Sequence, residues 1–195
     1  TALDAAIDIA TRDGFDTARI ARVRVDTFQV AYDIIGGGEE GDKCSIRTKE
    51  EADHSLPYLV AVALLDGVVE PAQFAPARIG ASDVQGLLAK VEIRPDAAFT
   101  RRFPSEMPSR VEVEMSDGTR LSAERSSYRG SVAEPLDWDG AAAKYTRLPA
   151  PFTGDRIAAT VRDLDELPVS ALTDLLATVP RERTATLAVS SRTGS

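Results

Sequence analysis

The sequence predicts an α+β protein: a small antiparallel sheet with flanking helices, followed by helices that pack elsewhere. Three observations carry this. Apolar residues at helical spacing alternate with short stretches of strict apolar–polar alternation along the first 136 residues. The stretch RVEVEMSDGTRLSAER has every local mark of a hairpin, with Val111, Val113 and Met115 alternating before an Asp117-Gly118 turn. Two further amphipathic helical patterns follow only after Pro149 and Pro151 have broken the chain.

Taken in order, Leu3, Ala6, Ile7 and Ala10 predict a helix over 2–12 that stops at Gly14. RIARVRVDTF reads as a half-buried strand, with Ala21, Val23 and Val25 on one face and Arg22, Arg24 and Asp26 on the other. QVAYDII suggests a short helix that runs into GGGEEGDK, residues 36–43, a mobile polar loop. TKEEADHSLPYLVAVALLDG predicts one helix from Thr48 to about Leu65. Thr48 and Glu51 fit a capping box, Pro57 should kink the helix near 53–54, and Gly67 supplies a left-handed C-cap. SDVQGLLAKV predicts another helix capped by Ser82 with Gln85 at the third position, and KVEIRPD a short strand. Residues 138–148 suggest a helix packed by Trp138 and Tyr145, with two more near 154–164 and 168–179. The Ser-, Thr- and Arg-rich tail from about Arg181 has the composition of a loosely tied segment.

Composition narrows the function classes. A net charge of −8 disfavours a general nucleic-acid binder, which needs a basic face. With Cys44 as the single cysteine and His54 as the single histidine, neither a multi-cysteine zinc site nor a His-rich metal site can be built within this chain. One cysteine cannot hold an iron–sulfur cluster either. A lone thiol fits a reducing, cytoplasmic setting, and the apolar run 56–65 is too short to cross a bilayer, so no membrane partner is expected. TALDAAIDIA lacks a basic leader and opens inside a helical pattern, which reads as part of something longer. The glycines at 36–38 lack the spacing of a phosphate loop, and Glu39, Glu40 and Asp42 lack that of an EF-hand. Cys44 has no nearby histidine in sequence and reads as an incidental thiol.

TKEEADHSLPYLVAVALLDG, followed by KVEIRPDAAF, PSRVEVEMSDGTR and SYRGSVAEPLDWDGAAAKYTRL, resembles the C-terminal half of the MmgE/PrpD family. The likeness runs from Thr1 to about Val179, and the Ala-Asp-His-Ser-x-x-Tyr stretch before Leu-Leu-Asp-Gly is its most specific part. That family includes 2-methylcitrate dehydratase, cis-aconitate decarboxylase and iminodisuccinate epimerase. The resemblance implies an α+β lid domain over 1–136, a helical return segment over 137–180 and a tail over 181–195. It further implies an all-helical domain, carrying most of the acid–base residues, that this chain lacks. A lid histidine of the family would fall just upstream of Thr1. The implied chemistry is cofactor-independent dehydration of a hydroxy polycarboxylate such as 2-methylcitrate, as in propionate catabolism, in a cytoplasmic homodimer. Decarboxylation and epimerisation are alternatives within the family. A reading from another class makes the chain a non-catalytic module that completes a site only when joined to a helical partner, on the same chain or a separate one. A free-standing binding domain would instead show little exposed apolar surface on its last two helices.

His54 and Tyr58, four apart, should share one helical face. By spacing alone, His54 assists Asp53 in capping and Tyr58 packs its ring. The resemblance implies catalytic roles, with Tyr58 donating to a substrate and His54 binding a carboxylate or moving a proton. Lys43 and Arg47, just before the helix, are candidate substrate-binding cations for a di- or tricarboxylate, or else solvated loop charges.

Overall fold

The computed structural model describes residues 1–147 and 155–178, which fall into two compact units, Thr1–Leu136 and the chain from Asp137 onward. In the first unit, α1 (Ala2–Ala10) leads through a 3₁₀ turn into β1 (Ile20–Thr27). Next come α2 (Gln29–Ala31), which widens into a π-turn over Tyr32–Gly36, then α3 (Lys49–Asp53) and α4 (Leu56–Asp66). After a 3₁₀ turn at Pro71–Phe74 follow α5 (Pro76–Ile79), α6 (Ser82–Leu88), β2 (Val91–Pro95) and α7 (Ala97–Arg102). The hairpin of β3 (Ser109–Met115) and β4 (Arg120–Arg125) completes the sheet.

The α+β class and its flanking helices stand as expected, and the sheet is mixed, with strand order β2-β1-β3-β4. β1–β3 and β3–β4 are antiparallel, while β2 lies parallel to β1 with Val23 opposite Val91 and Val25 opposite Ile93. The long helical connection between β1 and β2 allows this: a parallel pair needs a crossover, and the segment 28–90 supplies one.

The hairpin forms where the alternation put it. Val111, Val113 and Met115 point into the core with Val23 and Val25 of the neighbouring strand, and Gly118 takes φ +85° at the turn. β1 departs from its expected face at one point. A bulge between Ile20 and Arg22 shifts the register, so Ile20 is buried and Ala21 faces out. Asp26 is also buried, and Arg110 across the sheet satisfies it at 2.9 Å.

Two apolar clusters share α4. The larger packs α1, α4 and the inner sheet face around Ile9, Leu64, Val25 and Val113. The smaller gathers Ile46, Tyr58, Val62, Ile79, Val84 and Leu88 between α3, α4, α5 and α6. Helix α4 is buried nearly all round because it has a cluster on each side. The cap of α6 differs from expectation. Ala81 is its N-cap, Ser82 is already helical, and the Gln85 amide donates to the Ile79 carbonyl at 2.7 Å.

The second unit contains α8 (Trp138–Thr146), α9 (Asp155–Arg162), a 3₁₀ turn at Leu164–Glu166 and α10 (Val169–Ala177). Asp137 caps α8 through Gly140 N–H at 2.7 Å. The Arg162 guanidinium lies 5.2 Å from the centre of the Trp138 ring and 3.0 Å from Asp139. Tyr145 is half-buried, and its hydroxyl has no hydrogen-bond partner among the described residues. Val161 on α9, Val169 and Leu176 on α10, and Leu167 in the turn between them are exposed. The tail from Arg181 lies outside the described residues. Among the described residues, no helix is long and apolar enough to cross a membrane.

Candidate functional site

The segment 43–58 is built from two helices rather than one. α3 ends at Asp53, with His54 as its C-cap at φ −109°, ψ 20°, and Ser55 turns extended to cap α4. The kinked single helix is therefore corrected. Pro57 stands in the first turn of α4, where a missing N–H costs no helical bond, so a break at 54–55 relieves the proline without strain. Both ends of the expected span hold. Thr48 and Glu51 form the capping box, and Gly67 closes α4 at φ +67°.

The break sends His54 and Tyr58 to different environments, which corrects their expected common face. The His54 side chain is 70% exposed, and its Nδ1 lies 2.5 Å from Asp53 Oδ1 and 3.2 Å from the Glu50 carbonyl. The hydrogen bond to Asp53 is the main cause that raises the His54 pKa, while the charge of Lys43 opposes it. Asp53 is held low chiefly by Lys49, at 2.9 Å, and then by His54. Together Asp53 and His54 form an oriented carboxylate–imidazole pair whose outer ring nitrogen has no partner among the described residues.

Tyr58 faces the other way. It is 0% exposed, its ring is tilted against Phe74 with centroids 6.3 Å apart, and its hydroxyl donates to the Gln73 carbonyl. Burial pushes its pKa up. The Gln73 amide in turn donates to Asp66 at 2.9 Å, and Arg78 bridges Asp66 and Asp83 at 2.6 and 2.9 Å. This network braces α4 against α5 and the turn before it.

The Lys43 carbonyl accepts the hydroxyl of Ser55, the residue after His54, at 2.6 Å, while its ammonium group is 3.2 Å from Glu40 and its side chain is only 14% exposed. Arg47 is exposed, and its guanidinium makes no hydrogen bond or ion pair among the described residues. Its backbone N–H donates to Glu51 at 2.7 Å, an acceptor that Thr48 N–H shares. Arg47 lines a cleft of about 470 Å³ with Cys44, Ser45, Gly80 and Gln85. Burial and the charge of Asp42 raise the Cys44 thiol, which makes it a poor nucleophile. Among the described residues, no group of three or more His, Cys, Asp or Glu side chains is placed to hold a metal.

The structure thus pairs Asp53 with His54, ties the Lys43 backbone to neighbouring Ser55, sets Arg47 on a cleft with Cys44 and Ser45, and places Tyr58 in the core. Ser55 is the residue that sequence reasoning passed over. A signal for it existed: Ser followed by Leu-Pro fits an N-cap with proline in the first turn.

The family model for the MmgE/PrpD C-terminal domain matches residues 1–166, which include all of these positions.

Proposed function

Since this chain belongs to the MmgE/PrpD family, a family of lyase and dehydratase activity, we propose that it forms the lid and C-terminal part of a cofactor-independent dehydratase for a 2-methylcitrate-like hydroxy polycarboxylate. The observation that carries this reading is the Asp53–His54 pair, within the region the family model matches. Dehydration removes a proton next to a carboxylate and expels a β-hydroxyl as water. An imidazole oriented by a carboxylate, with one ring nitrogen open, can deliver a proton to that departing oxygen. Asp53 favours the protonated form that such a donor needs. Lys43 and Arg47 supply fixed positive charge for the substrate carboxylates. Tyr58 supports the site from below, and a direct contact between its phenol and substrate would require exchange of the Gln73 bond. In this reading the all-helical domain of the same family supplies the remaining acid–base groups and the homodimer contact.

The test uses the native polypeptide that carries this chain, assayed on 2-methylcitrate, citrate, cis-aconitate and iminodisuccinate by ultraviolet absorbance and NMR. Water loss from 2-methylcitrate is expected, with a drop of about 100-fold in kcat for His54→Gln, the size of one acid–base contribution. Turnover of cis-aconitate or iminodisuccinate alone would replace dehydration by decarboxylation or epimerisation. Turnover that His54→Gln leaves unchanged would remove His54 from the chemistry.

A further inference from the structure

β4 is one edge of the sheet: β3 lies on one side of it, and among the described residues no strand lies on the other. One bond shows where its uncovered backbone groups are. The Met115 N–H donates to the Thr119 carbonyl at 2.8 Å, so 115 and 119 are a hydrogen-bonded pair of the antiparallel ladder. Such pairs recur at every second residue. Leu121, Ala123 and Arg125 therefore bond to β3, while Arg120, Ser122 and Glu124 aim their N–H and C=O groups at the free edge. A row of this kind is a template for another strand. The opposite edge, β2, is five residues long and ends in Pro95, which blunts it. β4 has neither a proline nor a bulge in its register with β3.

The edge is instead met by Arg12, from the turn after α1. Its guanidinium donates to the Ser122 carbonyl at 2.7 Å, across 110 positions of chain. That carbonyl is one of the groups aimed outward, and it stands in the middle of the row.

The side chains of β4 fit a second β4 in one register. Two copies paired antiparallel about a twofold axis at Ser122 keep like faces together and oppose the whole strand. Arg120 of each copy then lies opposite Glu124 of the other. Leu121 of each lies opposite Ala123 of the other, which prolongs the apolar face that both residues turn to the larger cluster. Sliding by two residues sets Ser122 opposite Arg120 or Glu124 instead, and both charge pairs are lost.

We propose that the β4 edge is a docking surface for a second copy of this chain, and that Arg12 keeps it closed by holding the acceptor at the centre of the self-complementary register. Removing the guanidinium opens the edge.

The experiment is residue-resolved amide hydrogen exchange by NMR on the 195-residue chain, at about 0.05 and about 1 mM protein. The proteins are the wild type, Arg12→Ala and Arg12→Ala with Glu124→Lys. Arg12 is exposed, so its loss spares the core. In Arg12→Ala, exchange at 120, 122 and 124 is expected to slow about twofold at the higher concentration, as a Kd of about 1 mM would join about half the chains. Exchange at 121 and 123, already bonded to β3, should not change. The wild type should show no such concentration dependence. Glu124→Lys, which sets Lys opposite Arg120, should abolish it in the double variant. Association through the exposed residues of α9 and α10 would leave the alternation in β4 untouched. Exchange in Arg12→Ala that ignores concentration overturns the docking surface. Equal slowing in the wild type overturns the closure by Arg12. Slowing that survives Glu124→Lys overturns the register, and a row protected in the wild type at both concentrations means that something other than a second copy covers the edge.

Discussion

Replacing Tyr58 by phenylalanine isolates one hydrogen bond. The ring stays, and with it the contacts to Phe74 and to the cluster of Ile46, Val62, Ile79 and Leu88. Only the hydroxyl goes, and it leaves the Gln73 carbonyl without its donor at a residue that is 9% exposed. A neutral hydrogen bond contributes about 1 kcal/mol net, and a stranded buried acceptor adds to the loss, so the variant should be less stable by about 1–2 kcal/mol. For a unit of this size that corresponds to a fall in Tm of roughly 3–8 °C. The assay is urea unfolding of the 195-residue chain followed by far-ultraviolet circular dichroism, with the slope m checked for constancy. A loss below about 0.3 kcal/mol would mean that the phenol is not bonded as described, since even a weak internal hydrogen bond exceeds that figure. The same variant in the native enzyme separates the two roles of the phenol. A core tyrosine predicts kcat within about twofold at temperatures where the variant is folded. A loss of about 100-fold at unchanged stability would put the hydroxyl on the substrate and refute its placement in the core.

The remaining expectations concern pH, packing and backbone. Because Asp53 raises the His54 pKa above 6.5, the folded state holds that proton more tightly than the unfolded chain does. The resulting stability is fully present below the unfolded value and fades as pH rises through the folded one. The difference in urea midpoint between wild type and His54→Gln should therefore be larger at about pH 5.5 than above the folded-state pKa. Leu64→Ala, at a position 1% exposed between α1 and the sheet, should cost about 2–5 kcal/mol by calorimetry. An unchanged thermogram would mean that α4 is not buried there. Gly86 sits in α6 with no atom within 4 Å of an added Cβ, so Gly86→Ala should stabilise by about 0.4–1 kcal/mol. Gly118, equally uncrowded but at φ +85°, should lose about 1 kcal/mol on the same change. Opposite signs for the two glycines in denaturant melts are the check.

Local signals made much of this fold legible. The hairpin, the Thr48–Glu51 box and the Gly67 cap each depend on a few adjacent residues, and each forms as its chemistry demands. What escaped depends on two elements at once. Ala21 turns outward because a bulge that depends on β3 re-registers β1, and nothing in RIARVRV marks it. β2 pairs parallel because the crossover delivers it to the free side of β1, a matter of topology rather than of its own five residues. Asp26 is buried because Arg110 waits 84 positions away. In the site, the residue types were visible but their grouping was not. A continuous helix would have stacked His54 over Tyr58, whereas Ser-Leu-Pro ends one helix and starts another, and one turn of chain separates a solvent-facing imidazole from a core phenol.

Helix α4 has a cluster on each flank, and this has a consequence for how the site end of the domain breathes. A surface loop ordinarily opens at little cost, independently of the core. Here the first turn of α4 carries Ser55 and Tyr58 at one end, while the same helix seals α1 and the sheet through Leu64. Opening that turn means unzipping a wall shared by both clusters, so the slowest-exchanging amides of the domain should extend right up to the residues next to His54. An anion clasped there should in turn slow exchange in β1 and α1, which it never touches.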